Sequence, residues 1–153
     1  MVTTLLDAIK LAIECHDNAL DKEGMEPYIL HSLRVMLRQN TDHSRMAAVL
    51  HDTLENSGLT AEQLSERGYP EPVIEALRLL TRTSPDDYDN YIDNLATNPI
   101  ARKVKLADLE DNMNVTRLRS LDKHAHNRLD KYLRSWWKLR AIDMESDTQP
   151  GRA

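Results

Sequence analysis

Apolar residues recur at three- and four-residue steps along nearly the whole chain, and that spacing admits one fold class. Leu129, Tyr132, Leu133, Trp136 and Leu139 line up near the C-terminal end, and Leu5, Ile9, Ala12, Ile13 and Leu20 near the start. A helix turns about 100° per residue, so such positions share a face, whereas a half-buried strand alternates. No segment alternates convincingly. With no Phe and four Gly in 153 residues, the core has to be built from Leu, Ile, Val, Ala and Met. The expected fold is all-α, a single-domain helical bundle.

Capping residues, Gly and Pro divide the pattern. Thr3 or Thr4 is an N-cap for a first helix over 3–20, and Gly24 and Pro27 make 20–28 a loop. A short helix is expected over 29–38, and Asp42 caps the next, over 43–56. Thr60 and Gln63 form a capping box that opens a helix ending near Gly68. A helix over 72–82 offers Leu77, Leu79 and Leu80 to the core. Ser84-Pro85 and Asn98-Pro99 open helices over 85–96 and 99–119, and the last helix runs over 122–143. The domain is expected over 1–144, with 145–153 as a flexible C-terminal tail.

Composition excludes several functions. The net charge of −5 argues against a protein that coats nucleic acid, which needs a basic face. No stretch approaches the roughly 20 apolar residues that span a bilayer, and Asp7, Lys10 and Glu14 interrupt the first segment, which reads as an amphipathic helix and not a signal peptide. A single cysteine, Cys15, cannot form an internal disulfide and suits a reducing cytoplasm. An acidic protein that handles phosphates needs local correction by a metal or by a few placed cations.

The chemistry lies in three otherwise apolar segments. "AVLHDTLENSG" (47–57) turns from an apolar run to His51, Asp52 and Glu55; four-residue spacing aligns His51 with Glu55 and Asp52 with Asn56. "VKLADLEDNMN" (104–114) sets Asp108 over Asn112, and "PYILHSLRV" carries His31 among Ile29, Leu30, Leu33 and Val35. Two imidazoles and two carboxylates suit Mn²⁺, Zn²⁺, Fe²⁺ or a similar divalent ion. The competing reading of each is a surface or satisfied-core side chain.

"PYILH", "AAVLHDTLE" and "NPIARKVKLADLEDN" resemble the signature segments of the HD superfamily. More narrowly they resemble the hydrolase domain of RelA/SpoT-type proteins that degrade (p)ppGpp, including its small stand-alone versions. The resemblance implies an HD-type helical bundle. It also implies His31, His51, Asp52 and Asp108 as metal ligands, and Mn²⁺-dependent removal of the 3′-pyrophosphate from a guanosine nucleotide. The family's Glu-Asp pair, which positions the attacking water, corresponds to Glu55-Asn56. Glu55 can serve as a base, but Asn56 cannot take a proton. The resemblance further implies nucleotide contacts from Tyr28 and Asn112, with Lys22 remaining from a basic pair. A threonine usual in the family is Val115 here.

Arg82, Tyr88 and Tyr91 lie between the ligand segments and suit a phosphate or base pocket, or plain helix packing. Lys103 and Lys105 are expected to be exposed, and His16, His43, His124 and His126 to be surface residues. Of the adjacent Trp136 and Trp137 one packs and the other is available to a partner subunit, which allows a homodimer. The expected function is a metal-dependent phosphohydrolase, first of (p)ppGpp. The alternatives are hydrolysis of other nucleoside phosphates, or a catalytically weakened nucleotide- and metal-binding regulatory module.

Overall fold

The structure, a computed structural model, describes residues 2–21, 25–84 and 87–148. Its helices are α1 Leu5–Cys15, α2 Ile29–Leu37, α3 Asp42–Leu50, α4 Thr53–Asn56 and α5 Ala61–Glu66. They continue as α6 Glu71–Leu80, α7 Tyr88–Ala96, α8 Pro99–Asn112 and α9 Lys123–Asp147, with a 3-10 turn at Val115–Arg117. The only extended pairing among the described residues is one antiparallel bridge, Leu20 to Pro27, so the all-α expectation holds. No helix among them is long and apolar enough to cross a membrane.

Local chemistry starts the helices where short polar side chains can accept orphan amides. Thr4 with Asp7, Thr41 with Ser44, and Thr60 with Gln63 each form a reciprocal capping box. Such a cap stabilises by about 1 kcal/mol. Thr41, and not Asp42, therefore caps α3. Asn98 caps α8 as expected, whereas α7 begins at Tyr88 behind Asp87; Pro85 lies outside the described residues. The chain leaves α1 through Asn18, whose φ of 60° is a left-handed conformation that Asn tolerates better than most residues.

The core is organised around α3, where residues 46–50 are all buried and packed against α1, α2, α6 and α8. Ala47 and Ala48 leave room for these neighbours to approach, while Val49 and Leu50 fill the centre with Val35, Leu64, Ile74, Leu77, Ile92 and Leu109. The buried stripe of α1 is Ala8, Leu11 and Ala12, which leaves Ile13 and Leu20 of the expected face 51% and 57% exposed. On α9 the stripe is Ala125, Ser135 and Leu139, backed by Tyr132, Trp136 and Ile142, so Leu133 faces out with Trp137. That helix runs on through Asp147, beyond the end expected at 143.

Three expected helices are shorter than their apolar pattern, and the first, expected over 3–20, ends at Cys15. The helix over 43–56 breaks at His51-Asp52, because the Thr53 hydroxyl bonds the Leu50 carbonyl at 2.7 Å and competes with the helical ladder. The helix over 99–119 stops at Asn112, and Asn114 then caps the 3-10 turn.

A buried ion pair fastens α9 to the bundle. The Arg102 Nε donates to Asp143 at 3.1 Å, and its Nη1 donates to the Ala96 carbonyl at the end of α7 at 3.0 Å. Asp143→Leu should lower stability by roughly 3–5 kcal/mol, since it strands a buried guanidinium. The double variant Arg102→Met/Asp143→Leu should recover most of that loss in urea titrations. A double variant as unstable as the single one would show that the charge is not what the site requires.

Candidate active site

Three elements deliver the polar cluster. His31 points inward from the first turn of α2, His51 ends α3, Asp52 sits in the break that follows, and Asp108 comes from the third turn of α8. His31, His51 and Asp108 are buried in the core that α3 and α8 create. The Asp52 Oδ2 lies 2.9 Å from the His51 Nε2.

Hydrogen bonding settles which ring nitrogens face the cluster. The His51 Nδ1 lies 2.6 Å from the Ala48 carbonyl, which can only accept, so Nδ1 carries the proton. The His31 Nδ1 lies 2.6 Å from the Asp111 carboxylate and donates likewise. Both Nε2 atoms thus turn toward one point, 3.3 Å apart. The Asp108 Oδ1 lies 3.1 Å from the His31 Nε2 and 3.5 Å from that of His51, and the Asp52 Oδ2 is 3.8 Å from His31. Neighbouring ligands of one ion at about 2.1 Å are separated by about 3 Å. The donor set, two imidazoles and two carboxylates, fits a divalent transition ion in type. His31, His51 and Asp108 also fit in spacing, with donor atoms within 4.8 Å of one another, whereas Asp52 adjoins the set through the imidazoles.

The same electrostatics favour protons on those nitrogens. Burial opposes charge on His51, but Asp52 and Asp108 outweigh it and hold its pKa well above the usual imidazole value. His31 is raised too: burial opposes, and the bonds to Asp108 and Asp111 prevail. Burial would raise Asp108, yet Lys105 and the two imidazoles hold it well below the carboxylate range. Asp52 is lowered to about 2, with burial overcome by His51 and by the Tyr28 hydroxyl that donates to it. A proton and a metal ion compete for the same lone pairs.

The cluster forms the floor of a cavity of about 500 Å³, which also contains the residues expected around a substrate. Glu55 and Asn56 lie at its rim, where the Glu55 Oε1 accepts the Arg82 amide at 2.6 Å. Tyr28 is set in place by the Leu20–Pro27 bridge and its amide bond to the Ala19 carbonyl at 2.8 Å. Asn112 donates to Asp108 at 2.8 Å. Tyr88 lies under two cations, with Arg82 at 5.1 Å and the Lys131 ammonium at 4.4 Å from its ring centre. Lys22 lies outside the described residues.

Two expectations are corrected. Lys105 is not an exposed lysine: its ammonium donates to Asp108 at 2.8 Å and sits 5.3 Å from the Tyr91 ring. His16 is not on the surface but buried, its ring 5.0 Å from that of Tyr28, because the turn after α1 folds back on that ring. Sequence reasoning also missed Arg34, Asp111, Arg117, Arg128, Lys131 and Tyr132. All but Asp111 line the cavity, and Asp111 lies buried behind His31. For Lys105 and Asp111 a signal was available, since both lie three residues from Asp108 and share its face. Nothing local marks the others.

No family model matches the sequence. Over 118 residues the chain is 36% identical to the guanosine-3′,5′-bis(diphosphate) 3′-pyrophosphohydrolase of Aquifex aeolicus, covering 69% of this chain and 17% of that protein. The chain thus spans about one sixth of that relative's length. Among solved structures it is similar to a metazoan ortholog of SpoT that hydrolyzes ppGpp, with a TM-score of 0.68 at 20% identity over 93% of this chain and 94% of the other. The chain is an all-α, HD-type helical bundle, and its resemblance is to RelA/SpoT-type pyrophosphohydrolase domains.

Proposed function

We propose that the protein is a metal-dependent phosphohydrolase that removes pyrophosphate from the 3′ position of a guanosine polyphosphate of the (p)ppGpp type. The observation that carries this reading is the convergence of two imidazole lone pairs and two carboxylates on the floor of a cation-walled cavity. His31, His51, Asp52 and Asp108 hold the ion, with Mn²⁺ the first candidate. A divalent ion bound there supplies Lewis acidity to a phosphoryl oxygen and lowers the pKa of water. Arg82, Arg128 and Lys131 offset phosphate charge, and the tyrosines give the nucleotide an aromatic wall. Glu55 orients the attacking water: its Oε1 is engaged by the Arg82 amide, which leaves Oε2 to take the proton. We place the protein in the cytoplasm, acting on a small nucleotide and not on nucleic acid, with the exposed Trp137–Leu133 face of α9 as the surface for a second copy.

A second reading, a nucleotide- and metal-binding module with weakened turnover, is favoured by Asn56, which lines the cavity without a charge. Asn56→Asp separates the two. In a weakened hydrolase it should raise release of pyrophosphate from guanosine polyphosphates. In an enzyme adapted to its present residue it should leave turnover unchanged or lower it. Glu55→Gln should keep the metal and the fold while lowering turnover by roughly 10²–10⁴. Equal turnover by wild type and Glu55→Gln would remove Glu55 as the base.

The purified protein should carry about one transition-metal ion per chain, and His51→Ala or Asp108→Ala should lose most of it. Protein that stays metal-free in excess Mn²⁺, Zn²⁺ and Fe²⁺ would overturn the metal reading. The raised imidazoles add a pH dependence. In chelator-treated protein their contribution to stability is complete below the unfolded value of 6.5 and is lost as pH rises through the folded values. His16, lowered chiefly by burial, is neutral in both states above pH 6.5 and does not contribute there. The urea midpoint without metal should therefore fall from pH 6.5 upward, and added Mn²⁺ should restore it and bind more tightly as protons leave. A chelated protein whose midpoint ignores pH in this window would show that the carboxylates do not hold the imidazoles charged.

A further inference from the structure

Asp111 sits behind the cluster, on the side of His31 away from the other candidate ligands. It lies on α8 three residues past Asp108 and is 3% exposed. Its Oδ2 accepts the His31 Nδ1–H at 2.6 Å, the Arg34 Nη2 at 3.1 Å and the Arg117 Nη1 at 3.2 Å, while its Oδ1 accepts the Arg34 Nε at 2.8 Å. The Arg117 Nη2 donates to the Asp111 carbonyl. Both carboxylate oxygens are engaged, and the bonds tie α8 to two other elements: α2, which carries His31 and Arg34 one turn apart, and the 3-10 turn that ends in Arg117. Charge-assisted bonds from a planar guanidinium fix orientation as well as distance.

We propose that Asp111 is a positioning residue. Pinned by Arg34 and Arg117, it holds His31 with its Nδ1 protonated and its Nε2 lone pair aimed at the metal cluster. This inference rests on the metal reading above. An unpinned carboxylate so close to the cluster could swing round and compete for the ion, or let the ring turn. The two arginines remove that freedom, and they make the neighbourhood more positive. Charge alone therefore has them weaken cation binding, whereas positioning has them strengthen it.

That opposition of sign gives the test. Mn²⁺ affinity is measured by titration calorimetry on the full chain for wild type, Asp111→Asn and the double variant Arg34→Gln/Arg117→Gln. The His31 Nδ1 proton is followed by nitrogen-edited NMR, without metal and with diamagnetic Zn²⁺. Asp111→Asn should weaken Mn²⁺ binding by about 10–100-fold, the usual effect of losing a residue that orients a ligand. The arginine double variant should weaken it in the same direction, and should add nothing in the Asp111→Asn background. Wild type should show a solvent-protected Nδ1 proton that Asp111→Asn loses. Tighter Mn²⁺ binding by the arginine variant overturns the proposal, as does unchanged affinity with an unchanged Nδ1 proton in Asp111→Asn. Should wild type bind none of Mn²⁺, Zn²⁺ and Fe²⁺, the metal reading fails by itself, and the proton decides whether Asp111 holds His31: its loss in Asp111→Asn supports the hold, its persistence overturns it. If Asp111→Asn does not fold, the arginine variant carries both measurements.

Discussion

Lone pairs from four side chains aimed at one point repel one another, and in a buried site only a positive charge reconciles them. Much of this protein is arranged to tolerate that convergence. Asp108 is too deep for water to stabilise, so Lys105, Asn112 and the two imidazoles surround it. Asp52, at the edge, has the Tyr28 hydroxyl as well as His51. The candidate ligands come from three stretches of chain, with His51 and Asp52 adjacent, and only packing of α2 and α8 on α3 brings the three together. The apolar core thus has a second role beyond stability. Val49, Leu50 and Leu109, buried where these helices meet, hold the ligand-bearing segments together.

The cavity shows how an acidic protein can accept an anion. A net charge of −5 describes the whole surface, but a phosphate feels chiefly the groups within a Debye length of about 8–10 Å. In the proposed binding mode those groups are Arg82, Arg128 and Lys131, around a floor whose carboxylates are paired with imidazoles and Lys105. The tyrosines take part in this electrostatic arrangement. The Tyr88 ring lies against both Arg82 and Lys131, so it spaces two cations that would repel each other if they met directly.

What could be read from the sequence follows from how local each signal is. Helical periodicity, the Thr60 box and the Asn98 cap depend on neighbours within a turn or so, and they appear where the spacing places them. Polar residues standing out in apolar runs marked the three segments, and their resemblance to the HD superfamily picked His31, His51, Asp52 and Asp108 from them. The break at His51-Asp52 was not legible: a hydroxyl at Thr53 can face solvent or bond backward, and its burial decides. His16 was illegible for a related reason. Asp111 shares a face with Asp108, but its partners Arg34 and Arg117, like Tyr28 beside His16, come from elsewhere in the chain, and no spacing rule reaches that far. A capping preference also misled at Asp42, where Thr41 could form a reciprocal box with Ser44 and the aspartate could not.

Glu55 and Asn56 show how little charge the rim of such a site can carry. Glu55 is exposed, and the Arg82 amide holds one of its oxygens at 2.6 Å, so it has a fixed aim without being sunk in the core. A second carboxylate at position 56 would place like charges side by side next to an incoming phosphate, with Asp52 close behind. Asn56 keeps the size of an aspartate and its ability to hydrogen-bond, but it adds no repulsion. What it gives up is a second place for a proton. On the proposed reading, the proton leaving water then has Glu55 as its one carboxylate acceptor in the motif.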